Sequence, residues 1–189
     1  QTVVAVSRLL HTTDDPVGVL GAGIRTLTHA DSVVLYQTRA PGDSRLLPTA
    51  VVERGSEPGA SMLRTTAGDD HDASGPERTL EPALRDGEVL FERRPAGLDL
   101  PTPAWPPGVV ARLLVPIGPY RAPVGMAEAH WHRHPRRPTP FDQTAMALLG
   151  IDAGAEAQQR HLAQELAVPL AEREGRDGGV LLHGGMILE

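Results

Sequence analysis

Val109-Val110-Ala111-Arg112-Leu113-Leu114-Val115-Pro116-Ile117, Gly118-Pro119-Tyr120-Arg121-Ala122-Pro123 and Val124-Gly125-Met126-Ala127-Glu128-Ala129-His130-Trp131-His132 follow one another without a gap, and their reading decides the fold. The first is a near-continuous apolar run, rich in β-branched residues and about the length of a central strand. The second carries turn chemistry, and the third resumes extended structure. Side chains alternate across a strand, so Gly125, Ala127 and Ala129 share one face, while Met126, Glu128 and His130 share the other. Small residues on the first face admit a closely packed helix. Thr139-Pro140-Phe141-Asp142 opens such a helix, with a hydroxyl to cap, proline in the first turn and an acid three residues on. Its Ala153, Ala155 and Ala157 are suited to a close approach. In the preceding strand, Leu113, Val115 and Ile117 face the helices, and Arg112 and Leu114 look the other way.

Outward from this segment, Val3, Val4, Val6, Leu9 and Leu10 mark a short amphipathic helix within Thr2–His11. Asp14-Asp15-Pro16 starts a second helix, whose Leu20, Ile24 and Leu27 form one apolar stripe to about His29. Ser32–Gln37 and Leu46–Glu53 read as strands joined by a turn at Pro41-Gly42-Asp43. Residues 55–78 read as loop with at most a short strand at Met62–Thr65. Leu80–Arg85 reads as a short helix, Glu88–Glu92 as a strand, and Pro95–Pro107, around Trp105, as a stiff irregular loop. The last helix is expected to stop near Val168, because Pro169 lacks the N–H that would continue it. The domain organisation is a helical extension over 1–13, one domain over 14–168 and a Gly-rich tail or linker over 169–189. A first residue of Gln rather than Met reads as a piece trimmed from a longer chain.

The 189 residues suit one domain with extensions. With only 3% aromatic residues, the core must be built from Leu, Val, Ile and Ala. The 18 basic residues are all Arg, which removes lysine Schiff-base and P-loop chemistry. A net charge of −6 with scattered arginines argues against a nucleic-acid footprint. The absence of Cys removes thiol nucleophiles, disulfides and thiolate metal sites, and fits a cytoplasmic protein. No apolar run approaches the roughly 20 residues that span a bilayer.

Taken in order, Ala30-Asp31-Ser32-Val33-Val34-Leu35-Tyr36, Leu113-Leu114-Val115-Pro116-Ile117, Pro123-Val124-Gly125-Met126-Ala127 and Arg137-Pro138-Thr139-Pro140-Phe141-Asp142 resemble the characteristic segments of a GAF domain over about residues 14–165. The resemblance implies an α+β fold with a central antiparallel sheet of five to six strands. The N- and C-terminal helices would cover one face, and loops with short helices would form a pocket on the other. It also implies a bacterial signal-transduction protein that homodimerises through its terminal helices and passes a signal to an output domain of the same polypeptide. Three activities of the family lose their residues here. The methionine-sulfoxide reductases and the covalent bilin carriers use cysteine, and the Asn-Lys-Phe-Asp-Glu motif of cyclic-nucleotide binders needs Asn and Lys, which the chain lacks.

The candidate ligand-binding residues are Arg112, Glu128 and His130, whose charges suit a polar ligand, with Trp105 in the covering loop and Tyr36 on the first strand. They are equally suited to satisfying one another across strands or to sitting at a solvated edge. Trp105 reads either as a lid that stacks on a ligand or as a structural plug. His130, His132 and His134 alternate as metal ligands can, yet no third ligand is evident, and a surface strand end is the expectation. Haem held by one of them or by His71 is the remaining cofactor reading; the cofactor is otherwise unknown. His183 lies among glycines that each weaken a helix by roughly 1 kcal/mol, so it reads as tail rather than phosphoacceptor. The expected function is a non-enzymatic sensor that binds a small molecule, the alternative a ligand-free dimerisation module, with neither nucleic acid nor membrane as a partner.

Overall fold

The computed structural model describes residues 2–38, 45–53, 84, 86–97 and 105–163, and the backbone alone at 78–79 and 164–177. The expected turn at 41–43, the strand at 62–65, the tail beyond 177, His71 and His183 lie outside these residues. So do most of the 55–78 loop, the 80–85 helix apart from Leu84, and part of the loop around Trp105.

Helix α1 (Thr2–Leu10) presents Val6 and Leu10 to the core. Helix α2 (Pro16–Thr28) begins where the sequence places it. Pro16 occupies the first turn, and the Asp15 carboxylate accepts a hydrogen bond from the Gly18 amide at 2.8 Å, which satisfies an otherwise unpaired helix donor. Strands β1 (Ser32–Thr38), β2 (Arg45–Glu53), β3 (Arg78–Thr79), β4 (Leu90–Arg93), β5 (Ala111–Ile117) and β6 (Gly125–Trp131) follow, and helix α3 (Pro140–Asp177) closes the chain. The six strands form one antiparallel sheet in the order β3-β2-β1-β6-β5-β4. The α+β architecture agrees with expectation, and β3 falls at the end of a stretch read as loop.

The two faces of the sheet divide as the alternation requires. Val33, Leu35, Leu113, Val115, Ile117, Ala127 and Ala129 meet Leu20 and Ile24 of α2 and Met146, Leu149 and Ala153 of α3 in one buried core. Burying each large aliphatic side chain is worth about 1.5–3 kcal/mol. Tyr36, Leu46, Leu84, Leu114 and Met126 form a second, smaller apolar cluster on the reverse face.

Two features of α3 depart from the sequence reading. The closest approach to the sheet runs through glycine rather than the alanine row. A Cβ at Gly150 would collide with the Pro116 carbonyl oxygen, and one at Gly154 with Gly118. The Gly150 carbonyl accepts a hydrogen bond from the Gly118 amide at 3.0 Å. Ala153 is buried, Ala157 packs at the core margin, and Ala155 is exposed. The helix also continues past the expected stop at Pro169 to Asp177. Proline removes a single backbone donor there, and Ala171-Glu172-Arg173-Glu174 are strong helix formers that carry the helix on.

The start of α3 is a reciprocal cap. The Thr139 amide and hydroxyl donate to Asp142 Oδ2 at 2.9 and 2.8 Å, and the Asp142 amide donates to Thr139 Oγ1 at 3.2 Å. The Thr139 amide, then its hydroxyl, hold the Asp142 carboxyl below its ordinary value of 3.8.

Candidate functional site

Strand register builds a polar row on the face away from the helices. Glu92 of β4 is opposite Arg112 of β5, Arg112 is opposite His130 of β6, and His130 is opposite Ser32 of β1. Glu128 shares the face with His130, two residues along β6, and is flanked across the strands by Leu114 and Val34. β1, β6 and β5 are inner strands, so Arg112, Glu128 and His130 lie beneath the molecule's surface, whereas Glu92 stands on the edge strand β4 and is partly exposed. Glu128 is 0% exposed, His130 4% and Arg112 7%.

A fully buried carboxylate is tolerable only with compensation, because desolvating a lone charge costs several kcal/mol. Arg112 supplies it. Its Nη1 lies 3.6 Å from Glu128 Oε1, and its Nε donates to Glu92 Oε2 at 2.6 Å. The guanidinium also stands over the Trp105 ring, 5.0 Å from the centroid, in cation–π geometry. Trp105 is itself buried.

His130 is the exception in an otherwise partnered group. Its Nε2 lies 3.2 Å from Glu128 Oε1, within ion-pair reach. The approach is off the line that a hydrogen bond needs, and Nε2 is buried without a hydrogen-bond partner. The structure thus brings Trp105, Arg112, Glu128 and His130 together. Tyr36 is on the same face, opposite Met126, but belongs to the apolar cluster with Leu46, Leu84 and Leu114. His132 and His134 are exposed beyond the end of β6, as expected for a surface strand end. Among the described residues, no group of three or more His, Asp or Glu is placed to hold a metal ion.

Sequence reasoning missed two contributors. Glu92 closes the row on Arg112, and pairing the 88–92 strand with the 109–117 run in register would have revealed it. Asp31 ties the far end of β6, its amide donating to the His130 carbonyl at 2.9 Å and its carboxylate accepting from the His132 amide at 2.8 Å. An acid directly before a strand was its only sequence signal.

The sheet order, the helix pair on one face and a residual polar row on the other describe a GAF fold, and solved structures agree. The chain is similar to the chromophore-binding domain of a bacteriophytochrome from R. palustris, with a TM-score of 0.58 and 18% identity over 86% of this chain and 61% of that one. It is similar to the GAF domain of an Acinetobacter phosphoenolpyruvate-protein phosphotransferase, with a TM-score of 0.59 and 12% identity over 85% and 93% of the two chains. A GAF domain ascribed to a Pseudomonas syringae sensor histidine kinase aligns with a TM-score of 0.56 and 13% identity over 89% and 90%. The chain spans 61% of the first bacteriophytochrome structure and 40% of a longer one from the same source. No protein-family model and no curated protein matches the sequence. At these identities the likeness establishes the fold. Among the described residues, no helix is long and apolar enough to cross a membrane.

Proposed function

We propose that this chain is a non-enzymatic sensory or regulatory domain of a cytoplasmic signal-transduction protein. It binds a small molecule against Arg112, Glu128, His130, Trp105 and Tyr36, and relays occupancy through paired terminal helices to an output domain of the same polypeptide. The observation that carries this reading is the buried polar row itself. A sheet face that served packing alone would be apolar throughout, since replacing a buried ion pair by well-packed apolar residues is commonly neutral or stabilising. The bacteriophytochrome domain that the chain resembles binds a chromophore, and two of the other similar structures are GAF domains of signalling and phosphotransfer proteins.

The relay is supported by α3. Phe141, Leu148, Ala155 and Leu162 stand seven residues apart and are all exposed, with Ile151 beside them. Exposed apolar side chains at this spacing line one stripe of the helix, which is suited to packing on a second helix. On α1, Val4 and Leu9 are also exposed. The middle of α3 meets the N-terminal segment through His11 Nδ1 and Glu156 Oε1 at 2.6 Å and through Arg160 and Asp14 at 3.1 Å, two exposed contacts across the helical layer. A bound ligand that prefers one arrangement of this layer shifts its population.

Thermal-shift measurement against a metabolite library tests the reading. A saturable rise in melting temperature is expected, because a ligand that binds only the folded state stabilises it by mass action. A second reading, a ligand-free dimerisation module, is favoured by the apolar cluster of Tyr36, Leu46, Leu84, Leu114 and Met126, which fills much of the same face. A dimer that no metabolite stabilises would select it.

A further inference from the structure

Histidine is the one side chain in the polar row of a type that changes charge near neutral pH. Arg112 and Glu128 have partners enough; the group left over is His130 Nε2, buried and without a hydrogen bond. Two nitrogens converge on a single carboxylate oxygen, for Glu128 Oε1 lies 3.2 Å from His130 Nε2 and 3.6 Å from Arg112 Nη1. On its other side Arg112 Nε already donates to Glu92 Oε2 at 2.6 Å, and the guanidinium stands 5.0 Å over the Trp105 ring. Among Glu92, Arg112, Glu128 and His130, a neutral imidazole leaves one net negative charge and a protonated one leaves none. Unbalanced charge is costly in a buried row. Among the described residues, the groups that face His130 are few. Arg112 is opposite on β5, the uncharged Ser32 is opposite on β1, Glu128 is two residues along β6, and Glu92 of β4 stands behind Arg112. Tyr36 lies farther along β1 on the same face, and Asp31 bonds the main chain of His130 and His132. The opposite face of the sheet is the apolar core.

We propose that His130 is a proton switch for the row. An imidazolium carries hydrogen on both ring nitrogens, so Nε2 is a donor once the ring is charged, whichever nitrogen holds the proton in the neutral ring. A small turn of the ring or of the carboxylate then makes a charge-assisted bond to Glu128 Oε1. Arg112 Nη1, the more distant claimant, gives up that oxygen, and the guanidinium settles on Glu92 and shifts over the Trp105 ring. A proton taken up in the buried middle of the sheet is thus read at the edge strand β4 and in the segment that carries Trp105. The switch goes beyond the small-molecule reading above, since it needs no ligand.

The chain's two Trp indole N–H groups test this by NMR on the full 189-residue protein without ligand. Trp105 stands against Arg112, whereas Trp131 packs with Phe91 in the helix-side core and serves as the control. Between about pH 5 and 8, the range in which histidines change charge, the Trp105 indole resonance, assigned with Trp105→Phe, is expected to move along a single sigmoid. The His130 ring resonances should share that sigmoid, and the Trp131 indole should stay in place. His130→Gln should abolish the movement, and Glu128→Gln should diminish it, because the charged ring then meets a neutral amide. His132→Gln combined with His134→Gln should retain it, since both side chains are exposed beyond the end of β6. A Trp105 resonance that stays still, or that moves as fully in His130→Gln, overturns the switch. So does a Trp105 midpoint that differs from that of the His130 ring in the wild type, a comparison that needs no row variant to fold. Movement of both indoles together marks a general loosening of the fold and overturns it as well. None of these results bears on the thermal-shift search for a small molecule.

Discussion

Gly150→Ala gives opposite signs for the two ways of packing α3 (Pro140–Asp177), and so tests the fold at its tightest point. In an exposed helix interior, alanine is favoured over glycine by about 1 kcal/mol. Here the added methyl would meet the Pro116 carbonyl oxygen, a backbone atom that cannot rotate away, with Val115 Cγ1 at 3.6 Å beyond it. Moving the helix off the sheet costs about 1–3 kcal/mol as overpacking. It also lengthens the 3.0 Å hydrogen bond from the Gly118 amide to the Gly150 carbonyl, worth about 1 kcal/mol. Subtracting the propensity gain from the upper overpacking value plus the hydrogen bond leaves a net loss of about 3 kcal/mol. For a chain of this size, that corresponds to a melting temperature lower by about 6–12 °C. Urea denaturation followed by far-UV circular dichroism measures it as a lower midpoint at unchanged slope. A variant as stable as the wild type, or more stable, would show that α3 does not sit on β5 (Ala111–Ile117) as described.

Three further outcomes are expected. Arg112→Met strips the counter-charge from a buried carboxylate and should cost about 3–5 kcal/mol, while the double variant Arg112→Met/Glu128→Leu should regain more than half of the loss in the same urea assay. Asp142 has a folded-state pKa below 3.8, so its contribution is fully present above pH 3.8 and is lost as pH falls through the folded value. Asp142→Asn should therefore flatten the acid limb of the stability profile and leave its dependence near neutrality unchanged. Leu148→Glu combined with Leu162→Glu should turn a dimer into a monomer by light scattering without changing helical content. Wild-type protein that is monomeric at high concentration refutes the seam on α3.

How much of this was legible in advance can be traced to particular residues. The division of the last strand into Gly125, Ala127 and Ala129 on one side and Met126, Glu128 and His130 on the other needed only the period of an extended chain. The starts of two helices were equally plain, at Asp15-Pro16 and at Thr139-Pro140-Phe141-Asp142, because caps are local chemistry. The glycine seat of α3 was not read, although Gly150 and Gly154, four apart in a helix, each cost about 1 kcal/mol unless packing requires them. Nor was Glu92 recognised as the second partner of Arg112, because register is a property of two strands and neither carries it alone.

Local and periodic features were thus determined by the chain itself: strand faces, caps, a core of small aliphatics, and the families of chemistry that the missing Cys, Lys and Asn forbid. Tertiary structure alone decided which charges meet. It set Arg112 between two carboxylates, laid Trp105 beneath it, and left one nitrogen of His130 without a bond. Such matters depend on burial and on distances of a few ångströms between residues far apart in sequence. An electrostatic interaction changes several-fold between water and the protein interior, and that environment exists only once the sheet has closed.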